Sequence, residues 1–154
     1  MSQRGFTLIE LMVTLVVLAV LIGLAAPNFS QMLRENQAAA ELDAFSGMLN
    51  FARREAVQGA QTIRLKGPAA DGSWQLLRER DSLELRRFPA LSFFVVSPVG
   101  QRSILFDSQG RLVSAARVAF DLAITDTSLG CATFNRSVSI ELSGSISLQK
   151  GGCQ

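Results

Sequence analysis

Hydrophobic residues follow three successive patterns along this chain. From Phe6 to Ala26 the sequence FTLIELMVTLVVLAVLIGLAA is almost continuously apolar. About 20 such residues span the hydrocarbon core of a bilayer as an α-helix. From Asn28 the apolar residues recur every three or four positions, and after Gly59 they recur every two. The pattern predicts a transmembrane helix over residues 6–26, an amphipathic helix and a β-rich remainder.

The amphipathic segment, residues 27–59, is predicted to continue the apolar helix. Pro27 lacks the N–H group that a regular helix interior requires, so we expect a kink there, and Gly59 is the expected helix end. The apolar face that should pack on a domain comprises Phe29, Met32, Leu33, Ala39, Leu42, Phe45, Leu49, Ala52 and Ala56. One helix would therefore serve both as a membrane segment and as a packing surface.

Alternating residues and turn signals predict several short strands in residues 60–154. The predicted strands are residues 61–66, 74–78, 83–88, 92–96, 103–106, 118–124, 138–142 and 146–148. Residues 104–112 have the pattern strand, turn, strand, in which Gly110 would supply a positive φ. A long helix packed on an antiparallel β-sheet is an α+β fold.

Three interpretations compete for residues 1–26. A cleaved secretory signal has a shorter apolar core of about 7–15 residues, although Leu24-Ala25-Ala26 could serve as its cleavage site. A plain membrane anchor explains the length and places Arg4 on the cytoplasmic side. It does not explain Glu10, because a carboxylate in mid-membrane costs about 2.5–3.5 kcal/mol. The third interpretation gives this carboxylate a partner.

The segment Gly5-Phe6-Thr7-Leu8-Ile9-Glu10 resembles the processing site of type IV prepilins and pseudopilins. The resemblance implies that residues 1–5 are a leader, which a prepilin peptidase removes between Gly5 and Phe6. It also implies N-methylation of Phe6 and pairing of Glu10 with the N-terminal ammonium of a neighbouring subunit during assembly. Electrostatics agrees, since a helix N-terminus and a cationic amine both favour a nearby carboxylate.

Two further patches resemble the GspH/FimT family of minor pilins and pseudopilins. They are Phe51-Ala52-Arg53-Arg54-Glu55-Ala56 and Leu105-Phe106-Asp107-Ser108-Gln109-Gly110-Arg111. The resemblance implies a pilin-like fold and a single-pass inner-membrane protein whose residues 60–154 form a periplasmic domain. The implied partners are other major and minor pilin or pseudopilin subunits, the prepilin peptidase and the inner membrane.

The two cysteines of the chain, Cys131 and Cys153, lie near its C-terminus. Outside the cytoplasm an even number of cysteines favours a disulfide, and the alternative is two unpaired thiols. A bridge closing a loop of this length stabilises a fold by roughly 3 kcal/mol in the chain-entropy estimate. It would hold residues 150–154 on the sheet.

The charge pattern gives little support to DNA binding. The formal net charge is only +2, and Glu79, Asp81 and Glu84 are interleaved with the densest arginines, as on a solvated strand face. DNA-binding members of the family carry a Gly-Arg motif near the C-terminus, where this chain has residues 143–147 without arginine. The candidate DNA contacts are Arg78, Arg80, Arg86, Arg87, Arg102, Arg111 and Arg117.

The sequence predicts no catalytic residue, metal site or cofactor. It contains no histidine, and no segment has the spacing of a zinc, calcium, nucleotide or nucleophile motif. We expect Trp74, Phe93 and Phe94 to lie in the core and Asp107 to form a turn. The resemblance to the GspH/FimT family implies a structural function, in a minor subunit that initiates or caps a type IV pilus or a type II secretion pseudopilus. The alternative is a DNA-binding minor pilin for natural transformation.

Overall fold

A long helix precedes two small sheets in this chain. The structure, a computed structural model, describes residues 7–153, apart from the side chains of residues 23–28. It contains two compact units, Met1–Gln37 and Ala38–Gln154. Helix α1 (Leu8–Gln58) belongs to both units, and the short helix α2 (Cys131–Phe134) belongs to the second.

Eight strands follow α1 and form two antiparallel sheets. The strands are β1 (Ile63–Gly67), β2 (Trp74–Arg78), β3 (Glu84–Phe88), β4 (Phe94–Ser97), β5 (Arg102–Phe106), β6 (Val118–Ile124), β7 (Arg136–Ile140) and β8 (Ile146–Lys150). Sheet 1 has the order β3-β2-β1-β5, and sheet 2 has the order β4-β6-β7-β8. The α+β fold is confirmed, with two sheets in place of the single sheet expected from the sequence.

The core of the second unit lies between the C-terminal part of α1 and the two sheets. Phe45 of α1 contacts both sheets, since its ring centroid lies 5.5 Å from Trp74 in sheet 1 and 6.1 Å from Phe120 in sheet 2. Trp74 is 1% exposed, and Phe94 is also buried, as predicted. The helix buries Ala38, Leu42, Phe45, Met48, Leu49, Ala52 and Ala56.

The predicted apolar face of α1 is wrong in its N-terminal part. Phe29, Met32, Leu33 and Ala39 are exposed, with Phe29 68% accessible. The second compact unit begins only at Ala38. Helical spacing reveals an apolar stripe, but it does not reveal whether that stripe is covered within the same chain.

Most strand positions are confirmed, and the differences come from turns. Strands β2 and β6 have the predicted bounds, whereas β7 lies two residues earlier than expected. A turn at residues 141–145 ends β7 early, because Glu141 N–H donates to the Ser145 carbonyl. The predicted strand after Gly110 is reduced to one bridge between Leu112 and Phe106. Helix α2 was not predicted, since four residues are too few for a periodic signal.

The C-terminal end of α1 lies at the position predicted from the sequence, but the residue with a positive φ is not the glycine. The helix ends at Gln58, directly before Gly59 as predicted. Gly59 N–H still donates to the Glu55 carbonyl at 2.9 Å, and the residue with positive φ is Ala60, at 47°. The chain therefore leaves the helix one residue beyond the glycine.

Among the residues whose placement the structure describes, no helix is both long and apolar enough to cross a membrane. The predicted transmembrane segment includes residue 6 and the side chains of residues 23–26, which lie outside that description. The side chain of Pro27 lies outside it as well, so the predicted kink stays a prediction.

Candidate processing and assembly site

The predicted processing positions lie at the N-terminal limit of the structure. Gly5 and Phe6 are outside the described residues, so cleavage between them and methylation of Phe6 stay predictions. The described chain begins at Thr7, immediately before α1.

Thr7 and Glu10 form the first turn of α1. Glu10 N–H donates to Thr7 Oγ1 at 3.3 Å, and Leu11 N–H donates to the Thr7 carbonyl at 3.2 Å. A threonine followed three residues later by a glutamate is the spacing of a capping box, a signal that our sequence analysis missed. Glu10 thus lies where the helix dipole favours an anion, and its side chain is exposed. Its carboxylate is accessible to a cation from another molecule.

The surface of α1 around Glu10 is apolar. Every large apolar side chain from Leu8 to Ile22 is at least half exposed, and Leu8 is 78% exposed. Burying one such side chain contributes about 1.5–3 kcal/mol. An apolar surface of this extent is typical of a protein–protein or membrane interaction site.

The two patches that resemble the GspH/FimT family contact each other. Arg53 Nε, in the helix patch, donates to the Gly110 carbonyl, in the β5 patch, at 2.9 Å. Asp107 forms the predicted turn, because its carboxylate accepts hydrogen bonds from the N–H groups of Gln109 and Arg111 and from Arg111 Nε. These bonds, chiefly that from Arg111 N–H, lower the pKa of Asp107.

Glu41 makes a second contact between α1 and the sheets. Its carboxylate accepts hydrogen bonds from the N–H groups of Ser92 and Phe93, the latter at 2.8 Å. These two residues lie in the connection between β3 and β4. Sequence reasoning missed this contact, since only the folded chain places residue 41 beside residues 92 and 93.

Acidic side chains neutralise three of the candidate DNA-binding arginines. Arg78 pairs with Asp81 at 3.3 Å, and Arg111 pairs with Asp107 at 3.0 Å. Arg87 pairs with Glu84 at 2.9 Å. Hydrogen bonding between Arg87 and Glu84 raises the pKa of the arginine and lowers the pKa of the glutamate.

The guanidinium groups of two more of these arginines lie over aromatic rings. Arg86 Cζ lies 5.0 Å from the ring centroid of Phe51 and 5.1 Å from that of Phe88. Arg102 Cζ lies 5.0 Å from the ring centroid of Phe120. Proteins that bind single-stranded DNA use such rings to stack bases. Here the protein's own cations cover them, which weakens the DNA-binding alternative.

The C-terminal tail is joined to sheet 2 by a disulfide and by Asn135. Cys131 and Cys153 form the expected disulfide, with their Cα atoms 5.5 Å apart. Buried Asn135 accepts a hydrogen bond from Ile124 N–H at 2.9 Å and donates Nδ2–H to the Gly152 carbonyl at 2.8 Å. The role of Asn135 was missed, because a single asparagine gives no sequence signal of such a contact.

An apolar pocket beside Trp74 offers no acid–base chemistry. It encloses about 280 Å³, and its lining residues, among them Trp74, Phe94 and Val99, include no ionisable side chain. Within the described part of the chain, no cluster of three or more histidine, cysteine, aspartate or glutamate residues could hold a metal ion.

Two family profiles match the sequence. The profile of the prokaryotic N-terminal methylation motif matches residues 1–26. The profile of type II transport protein GspH matches residues 41–145, which is more than half of the chain. No curated protein sequence matches the chain.

Solved minor pilins and pseudopilins share the fold. The type IV minor pilin FimU of Pseudomonas aeruginosa superposes with a TM-score of 0.58 and 20% identity, over 75% of this chain and 90% of that chain. A second crystal form of FimU gives a TM-score of 0.53 and 24% identity, over 74% and 91% of the two chains. The minor pseudopilin EpsH from the type 2 secretion system of Vibrio cholerae gives 0.51 and 14%, over 73% and 96%.

Proposed function

Because this chain belongs to the GspH family of type II transport proteins, we propose that it initiates or caps a type IV pilus or a type II secretion pseudopilus. The chain is a minor pilin or pseudopilin of one of these systems, and it is not an enzyme, since the family is structural. The observation that carries the proposal is the exposed Glu10 in the first turn of an apolar, exposed helix.

The proposed precursor is a single-pass inner-membrane protein with its C-terminal domain in the periplasm. A prepilin peptidase cleaves it between Gly5 and Phe6, and the new amine on Phe6 is methylated. The N-terminal methylation motif over residues 1–26 supports this step. Cleavage leaves a cationic amine on Phe6, four residues before Glu10 and on the N-terminal side of α1.

The proposed assembly step transfers α1 from lipid to a bundle of neighbouring helices. The exposed apolar side chains of residues 8–22 can be covered equally well by lipid or by other apolar helices. An unpaired Glu10 carboxylate is unfavourable in either environment. Pairing with the N-terminal ammonium of an adjacent subunit offsets that cost and sets the stagger between the two helices. The partners are thus other major and minor pilin or pseudopilin subunits.

The substitution Glu10→Ala tests this role in the intact protein. We expect the variant to enter the membrane and to be processed normally, with its amount in sheared filaments reduced by about tenfold or more, as for loss of a desolvated ion pair. Membrane fractionation, the mass of the mature N-terminus and quantitative blotting of filaments measure these three steps.

The matched control is Glu35→Ala, which removes another glutamate of α1, a partly exposed one that accepts a hydrogen bond from Gln31 at 3.0 Å. We expect this variant to assemble like the wild type. Wild-type amounts of Glu10→Ala in filaments would refute the assembly role of Glu10, and defective processing of that variant would assign the residue to the peptidase step instead.

A further inference from the structure

Two turns with the same hydrogen-bond pattern project from the two sheets. In residues 107–111, Asp107 N–H donates to the Arg111 carbonyl at 2.9 Å, and Gly110 N–H donates to the Asp107 carbonyl at 2.8 Å. In residues 141–145, Glu141 and Gly144 make the equivalent bonds at 3.0 and 2.8 Å. The first turn follows β5 of sheet 1, and the second joins β7 to β8 of sheet 2.

The two turns meet at their glycines. Gly110 and Gly144 are buried and have φ values of 73° and 78°. A Cβ atom on Gly144 would overlap the Gly110 carbonyl oxygen and would lie 3.0 Å from Arg53 Nε. Only glycine permits both the left-handed conformation and this close approach. Beside the contact, Leu112 N–H donates to the Leu142 carbonyl at 3.1 Å, which joins the two turn regions directly.

Helix α1 reaches the same point through Arg53. The side chain of Arg53 is half-buried, and its Nε donates to the Gly110 carbonyl at 2.9 Å. A Cβ atom on Gly110 would lie 2.9 Å from Val57 Cγ2 and 3.1 Å from Arg53 Nε, so the turn packs closely on the helix. Without this donor, the buried turn would lose a charge-assisted hydrogen bond.

We propose that Arg53, Gly110 and Gly144 form a junction that fixes the C-terminal part of α1 to both sheets at once. Arg53 is its positioning residue, because one guanidinium lies against the turn of each sheet. The two sheets share no strand pairing, so contacts of this kind set their relative position. The two patches that resemble the GspH/FimT family lie far apart in sequence, and this junction is where they contact each other.

The amide exchange of the full-length protein in detergent micelles tests this junction. We expect Arg53→Met to increase the exchange rate of the Leu112 amide by about tenfold or more, because its hydrogen bond to the Leu142 carbonyl joins the two turns and breaks when they separate. Amides in the pairing of β2 with β3, away from the junction, should exchange as in the wild type. The measurement does not depend on the proposed assembly role, so the two proposals can fail separately.

Arg54→Met is the matched control, since Arg54 is the next residue of α1 and is exposed. We expect this variant to leave the exchange rate of the Leu112 amide unchanged. Arg53→Lys keeps the charge and should show an intermediate rate, which keeps the test available if Arg53→Met does not fold. Equal exchange in the two methionine variants, or faster exchange throughout the chain in Arg53→Lys, would overturn the proposal.

Discussion

At the scale of single residues, Asp107 illustrates how one carboxylate organises a turn. It accepts hydrogen bonds from Gln109 N–H, Arg111 N–H and Arg111 Nε, at 2.8–3.0 Å. The sequence predicted a turn here from Asp107 and Gly110, and the structure confirms it. The hydrogen bond from Arg53 to the Gly110 carbonyl in this turn was not predictable, because Arg53 and Gly110 lie 57 positions apart.

We predict that Asp107→Asn destabilises the protein in a pH-dependent way. The folded-state pKa of Asp107 is lowered, so the stabilisation is complete above the pKa of the unfolded state and is lost as the pH falls through the folded value. At pH 7 we expect a loss of about 1 kcal/mol, as for one hydrogen bond to a charged group at a partly exposed site. Urea unfolding of both proteins between pH 7 and about pH 3 measures this difference.

The difference between the wild type and Asp107→Asn should shrink steadily as the carboxylate is protonated. Asp43→Asn, on an exposed part of α1, is the control and should alter stability little at pH 7. A difference between the wild type and Asp107→Asn that stays constant across this pH range would contradict the role of the charge.

At the scale of elements, polar contacts add to the apolar packing of α1. Phe45 and its apolar neighbours at helical spacing were predicted to face the sheets, and they do. Glu41 then fixes the connection between β3 and β4 by accepting hydrogen bonds from Ser92 and Phe93. This connection thereby gains a fixed position on the helix.

We predict that Glu41→Ala loosens this connection. Loss of two hydrogen bonds to a charged acceptor should lower the free energy of unfolding by about 1.5–3 kcal/mol, towards the lower value because the site is partly exposed. The amides of Ser92 and Phe93 should also exchange faster. Urea unfolding and amide exchange of the full-length protein measure both effects.

Asp43→Ala is the control for this variant, because it removes an acid from the same helix at an exposed position. Its unfolding free energy should remain within about 0.5 kcal/mol of the wild type. If both variants lose the same stability, the hydrogen bonds of Glu41 do not explain the effect.

At the scale of the whole molecule, the C-terminal tail is held at several points. Strand β8 pairs with β7, the Gly152 carbonyl accepts a hydrogen bond from Asn135, and Cys153 is bonded to Cys131. The disulfide was predicted from the number of cysteines and the implied compartment. Helix α2, which carries Cys131, was not predicted. Only the structure shows that the disulfide attaches the tail to this helix.

We predict that the double variant Cys131→Ser/Cys153→Ser keeps its fold with reduced stability. The loss should be roughly 3 kcal/mol, because the open chain gains entropy in the unfolded state. Asn135 and the pairing of β7 with β8 should hold the tail in place. Thermal unfolding and far-ultraviolet circular dichroism measure stability and fold.

Adding Asn135→Ala to the double variant tests the second attachment, with Asn50→Ala as a control on the exposed surface of α1. We expect the Asn135 substitution to increase the exchange of the β8 amides well beyond the level in the double variant. A tail that remains equally protected would show that strand pairing alone holds it.

The sequence by itself determined most of the elements and the filament family, because both depend on local order. A long apolar run, helical spacing and alternation are properties of neighbouring residues, and so is the motif from Gly5 to Glu10. The tertiary structure decided how the strands divide into two sheets, which part of the α1 stripe is buried, and which distant residues meet. Arg53 with Gly110 and Gly144, and Glu41 with Ser92, are such contacts. They arise only when the folded chain brings remote segments within hydrogen-bond distance, and no local pattern encodes that distance.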